Sequence, residues 1–150
     1  MNKDGELIQI LLVEDNPADI RITQEVLKDA KVANDLHIAR DGEEGLAFLR
    51  REGDFAGSPE IDLVLLDLNM PRMGGLEVLE EMRKDERLRH TPVVVLTTSE
   101  AEADVLRAYD NGSNAYVTKP VDLDQFVKVV RGIEEFWLGI VRLPQRTVLA

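Results

Sequence analysis

Short apolar runs alternate along this chain with segments of helical periodicity, and this alternation is what most limits how the chain can fold. The runs that end at Asp67 and Thr97 are continuously apolar, which is typical of strands covered by helices on both faces. Five strands and five helices in strict alternation predict a doubly wound α/β domain with a parallel sheet. Right-handed crossovers favour the strand order 2-1-3-4-5. The predicted strands lie at residues 8–13, 36–39, 61–66, 91–96 and 115–117.

The chain is long enough for one domain of ordinary size. At 150 residues it can bury a sizeable core without disulfides or metals, and a second domain is not expected. We predict a single domain over residues 1–150, with its core at about 7–132 and an extended C-terminal helix and tail at 133–150. The segment 144–150 is expected to be disordered unless it docks.

The last predicted helix is longer than a small sheet can cover. It runs from Asp122 to about Val141, which corresponds to roughly 30 Å. Its predicted apolar stripe comprises Leu123, Phe126, Val127, Val130, Ile133 and Trp137. Phe136, Ile140 and Val141 fall off that stripe or beyond the sheet. Because large exposed apolar patches are uncommon on monomers, we expect a homodimer or partner contact in this C-terminal region, and the alternative is that these residues cap the core.

Acidic residues dominate the charge of the chain, with 29 Asp and Glu against 18 Lys and Arg and a net charge of −11. A surface that reads nucleic-acid phosphates needs positive potential, so nucleic-acid binding is disfavoured. The chain has no cysteine, which excludes thiolate chemistry and fits a reducing compartment. No apolar run approaches the roughly 20 residues of a membrane-spanning helix, and the first residues lack the layout of a signal peptide. We expect a cytoplasmic protein without membrane contact.

Charged and hydroxyl side chains follow the predicted strands at their carboxyl ends. They are Glu14 and Asp15 after the first strand, Asp67 after the third, Thr97 after the fourth and Lys119 after the fifth. In an open parallel sheet, ligands bind beyond the carboxyl ends of the strands where the winding direction switches, which lies here between strands 1 and 3. We therefore expect these five side chains to converge on one crevice.

Three clustered carboxylates in a crevice are unfavourable, so they either raise a pKa or recruit a cation. Because no sulfur or histidine ligand is nearby, a hard cation is favoured, and Mg²⁺ fits best since it binds one or two carboxylates plus a phosphate oxygen. Lys119 offers a point charge for a phosphoryl oxygen, and Thr97 offers a hydroxyl donor. A carboxylate nucleophile, a divalent metal and a lysine together indicate phosphoryl transfer through an aspartyl phosphate.

Four motifs on the predicted strand ends resemble the signature of response regulator receiver domains, which act in two-component signalling. They are Glu14–Asp15, residues 67–71 with Gly74–Gly75, Thr97–Thr98 and Lys119–Pro120, and the resemblance covers roughly residues 7–132. The family has a flavodoxin-like fold. The longer loop before strand 3 and the Phe136–Trp137 ending resemble single-domain regulators that pair with phytochrome-type and hybrid sensor kinases.

The resemblance implies a phosphoacceptor and a set of metal ligands. Asp67 would accept the phosphoryl group. Asp15 and Asp67 would bind Mg²⁺ directly, and the backbone carbonyl of Asn69 would be a third protein ligand. Glu14 would act on the metal through a bound water molecule.

The resemblance also implies a switch next to the phosphoacceptor. Lys119 would bind the phosphoryl group, and Thr97 would move towards it after transfer. Tyr116 matches the aromatic position whose rotamer couples to that movement. A cis peptide bond before Pro120 would hold Lys119 in place.

The expected partners are a sensor histidine kinase and a downstream protein that binds after the switch. The alternative is a phosphorelay shuttle that passes its phosphoryl group to a histidine phosphotransfer protein. No enzyme activity is expected beyond the protein's own phosphorylation and slow dephosphorylation. A phosphatase of the haloacid dehalogenase type would need a carboxylate where Asn69 stands. A flavin-binding domain is disfavoured because Glu14 and Asp15 would repel its phosphate.

Overall fold

The computed structural model describes residues 7–144 and places a parallel sheet between two layers of helices. The strands are β1 (Ile8–Val13), β2 (Asn34–Ala39), β3 (Leu63–Leu66), β4 (Val93–Thr97) and β5 (Ala115–Thr118). The helices are α1 (Pro17–Lys28), α2 (Gly42–Arg50), α3 (Gly75–Lys84), α4 (Glu102–Asp110) and α5 (Leu123–Gly139), with a 3₁₀ turn at Gly53–Phe55. The strand order is β2-β1-β3-β4-β5, which confirms the predicted fold and topology.

Alternate residues of β1 enter separate cores because successive strand side chains point to opposite faces of the sheet. All six residues of β1 are buried. Ile8, Ile10 and Leu12 pack with residues of α1 and α5, whereas Leu11 and Val13 pack with residues of α2 and α3. Burial on both faces explains why this strand is almost wholly apolar in sequence.

Three strands begin at residues other than those predicted, namely β2 at Asn34, β3 at Leu63 and β4 at Val93, and side chains satisfy the neighbouring backbone at the first two. The strand β3 begins at Leu63, since the carboxylate of Asp62 accepts a hydrogen bond from the backbone N–H of Gln9 at 2.7 Å. The strand β2 begins earlier than predicted, at Asn34, whose side-chain amide donates to the carbonyls of Leu27 and Val32.

The last helix is shorter than predicted and ends at Gly139, so its length is about 25 Å. It begins after Asp122, whose carboxylate accepts from the backbone N–H of Gln125 at 3.0 Å. Leu123 is 60% exposed, so its predicted place in the apolar stripe is wrong. Of the three residues predicted to fall off the stripe or beyond the sheet, Phe136 and Ile140 are exposed and Val141 is half-buried.

Part of the C-terminal prediction falls outside the described residues. Of the predicted tail at 144–150, only Pro144 is described. Within residues 7–144, no helix is both long enough and apolar enough to cross a membrane.

Candidate functional site

Three acidic residues directly follow the carboxyl ends of β1 and β3, namely Glu14, Asp15 and Asp67. These strands are hydrogen-bonded neighbours, and the backbone N–H of Asp67 donates to the carbonyl of Val13 at 3.0 Å. Glu14 likewise donates its backbone N–H to the carbonyl of Ala39 at 2.9 Å. Glu14 and Asp67 therefore stand side by side at the point where the winding direction of the sheet switches.

The carboxylates of Glu14, Asp15 and Asp67 form one cluster. One oxygen from each side chain lies within 4.8 Å of the others. Glu14 and Asp67 are buried, at 2% and 6% exposure, whereas Asp15 is exposed. This set of oxygen atoms, closed on one side and open on the other, fits a hard divalent cation that keeps part of its water shell.

Asn69 and Gly75 fix the loop that follows Asp67. The backbone N–H of Asn69 donates to Asp67 Oδ1 at 3.3 Å, and the Asn69 side chain is exposed. At Gly75, a Cβ atom would lie 2.2 Å from the carbonyl oxygen of Asp67, a distance that no side chain could tolerate. The helix α3 therefore starts directly against the backbone of Asp67.

Lys119 lies over the carboxylate cluster and is 6% exposed. Its Nζ donates to Glu14 Oε1, to Asp19 Oδ2 at 2.9 Å and to Asp67 Oδ2 at 3.3 Å. Burial alone would lower the pKa of Lys119, but the hydrogen bond to Glu14 and the charge of Asp67 raise it above its ordinary value. The ammonium group is therefore firmly protonated and uses all three of its donors on carboxylates.

The backbone at Lys119 differs from the expectation. No peptide bond in residues 7–144 is cis, so the predicted cis bond before Pro120 is wrong. The trans form is favoured by about 0.5–1 kcal/mol before proline. Lys119 is held instead by its backbone N–H, which donates to the carbonyl of Thr97 at 2.7 Å, and by its carboxylate partners.

The hydroxyl of Thr97 has an unmet hydrogen-bonding capacity. Thr97 is the last residue of β4 and is 0% exposed. Among residues 7–144, its Oγ1 is one of two buried side-chain polar atoms without a hydrogen-bond partner. Such an atom costs about 1–3 kcal/mol, which a nearby acceptor oxygen would recover.

Tyr116 is anchored away from the carboxylates. Its hydroxyl donates to the backbone carbonyl of Ser99 at 2.8 Å, and its ring packs on a small cluster of Leu68, Val95 and Ala108. Burial raises the pKa of Tyr116 above its ordinary value. The ring is half-buried and contacts the loop between β4 and α4, which is the segment that follows Thr97.

Asp19 is the second closest carboxylate partner of Lys119 and was not among the site residues predicted from the sequence. Asp19 lies in the first turn of α1, and its backbone N–H donates to the capping side chain of Asn16 at 3.1 Å. The signal that could have found it is its position one helical turn beyond Asp15. That turn begins the helix at the carboxyl end of β1, so its side chains face the crevice.

The pKa of Glu14 is raised from its ordinary value to about 7. Burial is the largest cause, and the hydrogen bond from Lys119 opposes it while the charge of Asp67 adds to it. The raised pKa of Lys119 favours its charged form, whereas the raised pKa of Glu14 favours its neutral form. Both hold together because three carboxylates share one ammonium group, so each carboxylate gains only part of its charge.

We expect the metal-free protein to lose stability as the pH rises from about 4.5 to 7. Below pH 4.5 Glu14 is protonated in both states, and above it the unfolded chain ionises first, so folding is penalised by about 3 kcal/mol by pH 8. Urea unfolding in chelator at pH 5 and pH 8, for the wild type and Glu14→Gln, measures this difference. The groups facing Glu14 are Asp15, Asp67 and Lys119, and they are unchanged in the variant. A wild-type-minus-variant difference that is the same at both pH values would contradict the prediction.

Known proteins similar to this chain include response regulators. Residues 10–131 match the family described as response regulator receiver domain. The chain is 49% identical over 135 residues to response regulator Rcp1 of Synechocystis sp., covering 90% of this chain and 92% of Rcp1. It is 41% identical over 136 residues to the probable methanogenesis regulatory protein FilR2 of Methanothrix harundinacea, covering 90% of this chain and 86% of FilR2.

Solved structures agree with the sequence relatives. The Mn²⁺-bound form of Rcp1 superposes with a TM-score of 0.90 at 48% identity, covering 92% of this chain and 99% of that one. The phosphorylated cyanobacterial phytochrome response regulator RcpA superposes with a TM-score of 0.91 at 47% identity, covering 93% of this chain and 100% of that one. The carboxylate cluster, the buried lysine and a match over most of the chain lead to one conclusion: this chain belongs to the response regulator receiver domain family and is similar to phytochrome-associated single-domain regulators.

Proposed function

We propose that the protein is a phosphorylation-dependent switch in which Asp67 accepts a phosphoryl group from a sensor histidine kinase. The single observation that carries the proposal is the convergence of buried Asp67 with two further carboxylates, a buried lysine and an unpaired threonine hydroxyl. An oxygen of Asp67 forms a bond to phosphorus as the bond from phosphorus to the kinase histidine breaks. The imidazole leaves and takes up a proton from solvent.

Mg²⁺ is the proposed metal, held by Asp15, Asp67 and the backbone carbonyl of Asn69, with Glu14 acting from the buried side. When bound, the ion neutralises the charge on the phosphoryl oxygens. The cluster of carboxylate oxygens supports this role, and the related Rcp1 has been solved with Mn²⁺, an ion of similar ligand preference. Because Asp15 is exposed, an ion held there would be accessible to an incoming phosphate.

Lys119 and Thr97 are the proposed partners of the new phosphoryl group. Charge-assisted hydrogen bonds from an ammonium group and a hydroxyl suit a dianionic acceptor. The unpaired Oγ1 of Thr97 would gain a partner without giving one up. Movement of Thr97 would alter the loop that Tyr116 contacts through the carbonyl of Ser99, and so would carry the change to the surface near α4.

The proposal also covers partners and location. The similarity to a phytochrome response regulator supports a phytochrome-type or hybrid kinase as the donor and a downstream protein as the receiver of the signal. The protein acts in the cytoplasm, and its own phosphorylation and slow dephosphorylation are the only reactions it catalyses.

Mapping the phosphorylated residue tests the central claim. The full chain is incubated with Mg²⁺ and acetyl phosphate, trapped with borohydride, and the modified peptide is sequenced by mass spectrometry. We expect one adduct, at Asp67, that depends on the metal. An adduct at any other residue would overturn the assignment.

A chase of the labelled protein tests the route of the signal. Retention of the label together with phosphorylation-dependent binding of a partner supports the switch. Rapid transfer of the label to a histidine phosphotransfer protein would support the shuttle instead.

A homodimer through the C-terminal region is part of the proposal. Phe136 and Ile140 are 50% and 74% exposed, and the ring of Phe136 meets the edge of Trp137 at 5.8 Å between centroids. We expect sedimentation equilibrium to show a dimer that Phe136→Glu dissociates. The control is Leu106→Glu, which changes a residue of similar exposure on α4. Dissociation by the control alone, or by neither variant, would contradict the proposed surface.

A further inference from the structure

Asp19 contacts Lys119 but is not a member of the carboxylate cluster. In the part of the chain that the structure describes, the group suited to a metal contains Glu14, Asp15 and Asp67, and Asp19 is not a member. Its Oδ2 nevertheless lies 2.9 Å from Lys119 Nζ, closer than the 3.3 Å to Asp67 Oδ2. Asp19 can therefore affect the contact between Lys119 and a phosphoryl group without belonging to the group of carboxylates suited to a metal.

The three contacts of Lys119 leave it no free donor. An ammonium group donates three hydrogen bonds, and Glu14, Asp19 and Asp67 take all of them. A phosphoryl oxygen can therefore bind Lys119 only when one carboxylate gives way. Glu14 is almost fully buried, and its other oxygen accepts from the backbone N–H groups of Asp15 and Asn16, so it is fixed.

Asp19 is the partner that can be exchanged at least cost. Its side chain is 20% exposed, against 3% for Glu14 and 8% for Asp67, so water can replace the lysine as its partner. Its negative charge also repels an incoming dianionic phosphoryl group, since both sit within contact of the same ammonium. Both effects favour the unphosphorylated state.

We propose that Asp19 is a positioning residue that competes with the phosphoryl group for Lys119 and thereby restrains the switch. Before phosphorylation it holds the ammonium group on the α1 side of the crevice. After transfer the phosphoryl oxygen takes the donor that Asp19 releases. The inference rests on the proposed function, because it concerns the same phosphoryl site.

Binding of beryllium fluoride with Mg²⁺ tests the proposal, since this analogue occupies a phosphoryl site without covalent transfer. We expect Asp19→Asn to bind it about fivefold more tightly than the wild type does, because the amide keeps the size of the side chain and removes its charge. Asp19→Glu restores the charge and is expected to return the affinity towards the wild type. Asp19→Ser supplies a second neutral side chain if the amide variant folds poorly.

Two further measurements distinguish competition for Lys119 from a general effect of removing a negative charge. Affinity for Mg²⁺ alone is expected to change less than twofold in Asp19→Asn, because Asp19 lies outside the metal cluster. The matched control is Asp124→Asn, which removes the same charge from an exposed position in the first turn of α5. We expect it to bind the analogue as the wild type does.

The outcomes are distinct from those that test the proposed function. Unchanged or weaker analogue binding by both neutral variants would overturn the role of Asp19, and so would an equal gain in Asp124→Asn. If the wild type itself binds no beryllium fluoride with Mg²⁺, the proposed function fails and this inference fails with it.

Discussion

Asp67→Asn is expected to lower phosphoryl incorporation from acetyl phosphate by about three orders of magnitude or more. The amide lacks a nucleophilic carboxylate oxygen, so the proposed acceptor is lost. The amide is close in size to the carboxylate, so its Oδ1 can still accept from the backbone N–H of Asn69. Radiolabel incorporation per chain in the presence of Mg²⁺ measures the loss.

The same variant is expected to be at least as stable as the wild type without metal. The charge of Asp67 is one of the causes that raise the pKa of Glu14, so its removal relieves a repulsion between buried groups. We expect the free energy of unfolding in urea to rise by about 1 kcal/mol at pH 8. Asp124→Asn serves as the control for removal of a negative charge elsewhere. Label on Asp67→Asn at more than a few per cent of the wild-type level would show that another residue is the acceptor.

Lys119→Met is expected to lower the free energy of unfolding by about 3–5 kcal/mol near neutral pH in the absence of metal. The substitution leaves Glu14 and Asp67, both nearly fully buried, without the ammonium group that each contacts. The methionine fills a similar volume, so the loss reports the charges and not a cavity. Urea unfolding in chelator at pH 7 measures it.

The pH dependence identifies the cause of that loss. Without the hydrogen bond from Lys119, the pKa of Glu14 in the folded protein rises further, so the destabilisation is present above the ordinary pKa of Glu14 and disappears below about pH 4. Lys119→Arg is the matched control, because it keeps the charge on a bulkier group. It is expected to retain part of the stability at pH 7. A Lys119→Met variant as stable as the wild type at pH 7, or equally weakened at pH 4, would rule out this account.

The fold and most of the site could be predicted because they follow from the backbone pattern. Continuous apolar runs identify buried parallel strands, and Glu14, Asp15, Asp67, Thr97 and Lys119 were predicted from the positions at which such runs end, whereas Asn69 and Tyr116 came from the family resemblance. Since parallel strands end at one edge of the sheet, Glu14, Asp67 and Lys119 had to meet there. The order of elements was therefore enough to bring them together.

The remaining features depend on side-chain contacts that periodicity does not record. Asp19 looks in sequence like any acidic residue in the first turn of a helix, and only the reach of Lys119 across the crevice gives it a partner. Leu123 has helical spacing to the core residues of α5, but it lies in the first turn and is exposed. The early start of β2 and the late start of β3 depend on the side chains of Asn34 and Asp62. Each is a local competition between side chain and backbone.

The unpaired hydroxyl of Thr97 means that the resting fold is kept short of the stability its own backbone would permit. A valine of the same shape would be at ease in that dry position, yet it would have nothing to offer an arriving oxygen. The unpaired hydroxyl therefore lowers the stability of the unphosphorylated protein, and under the proposed function it regains a hydrogen-bond partner when the phosphoryl group arrives.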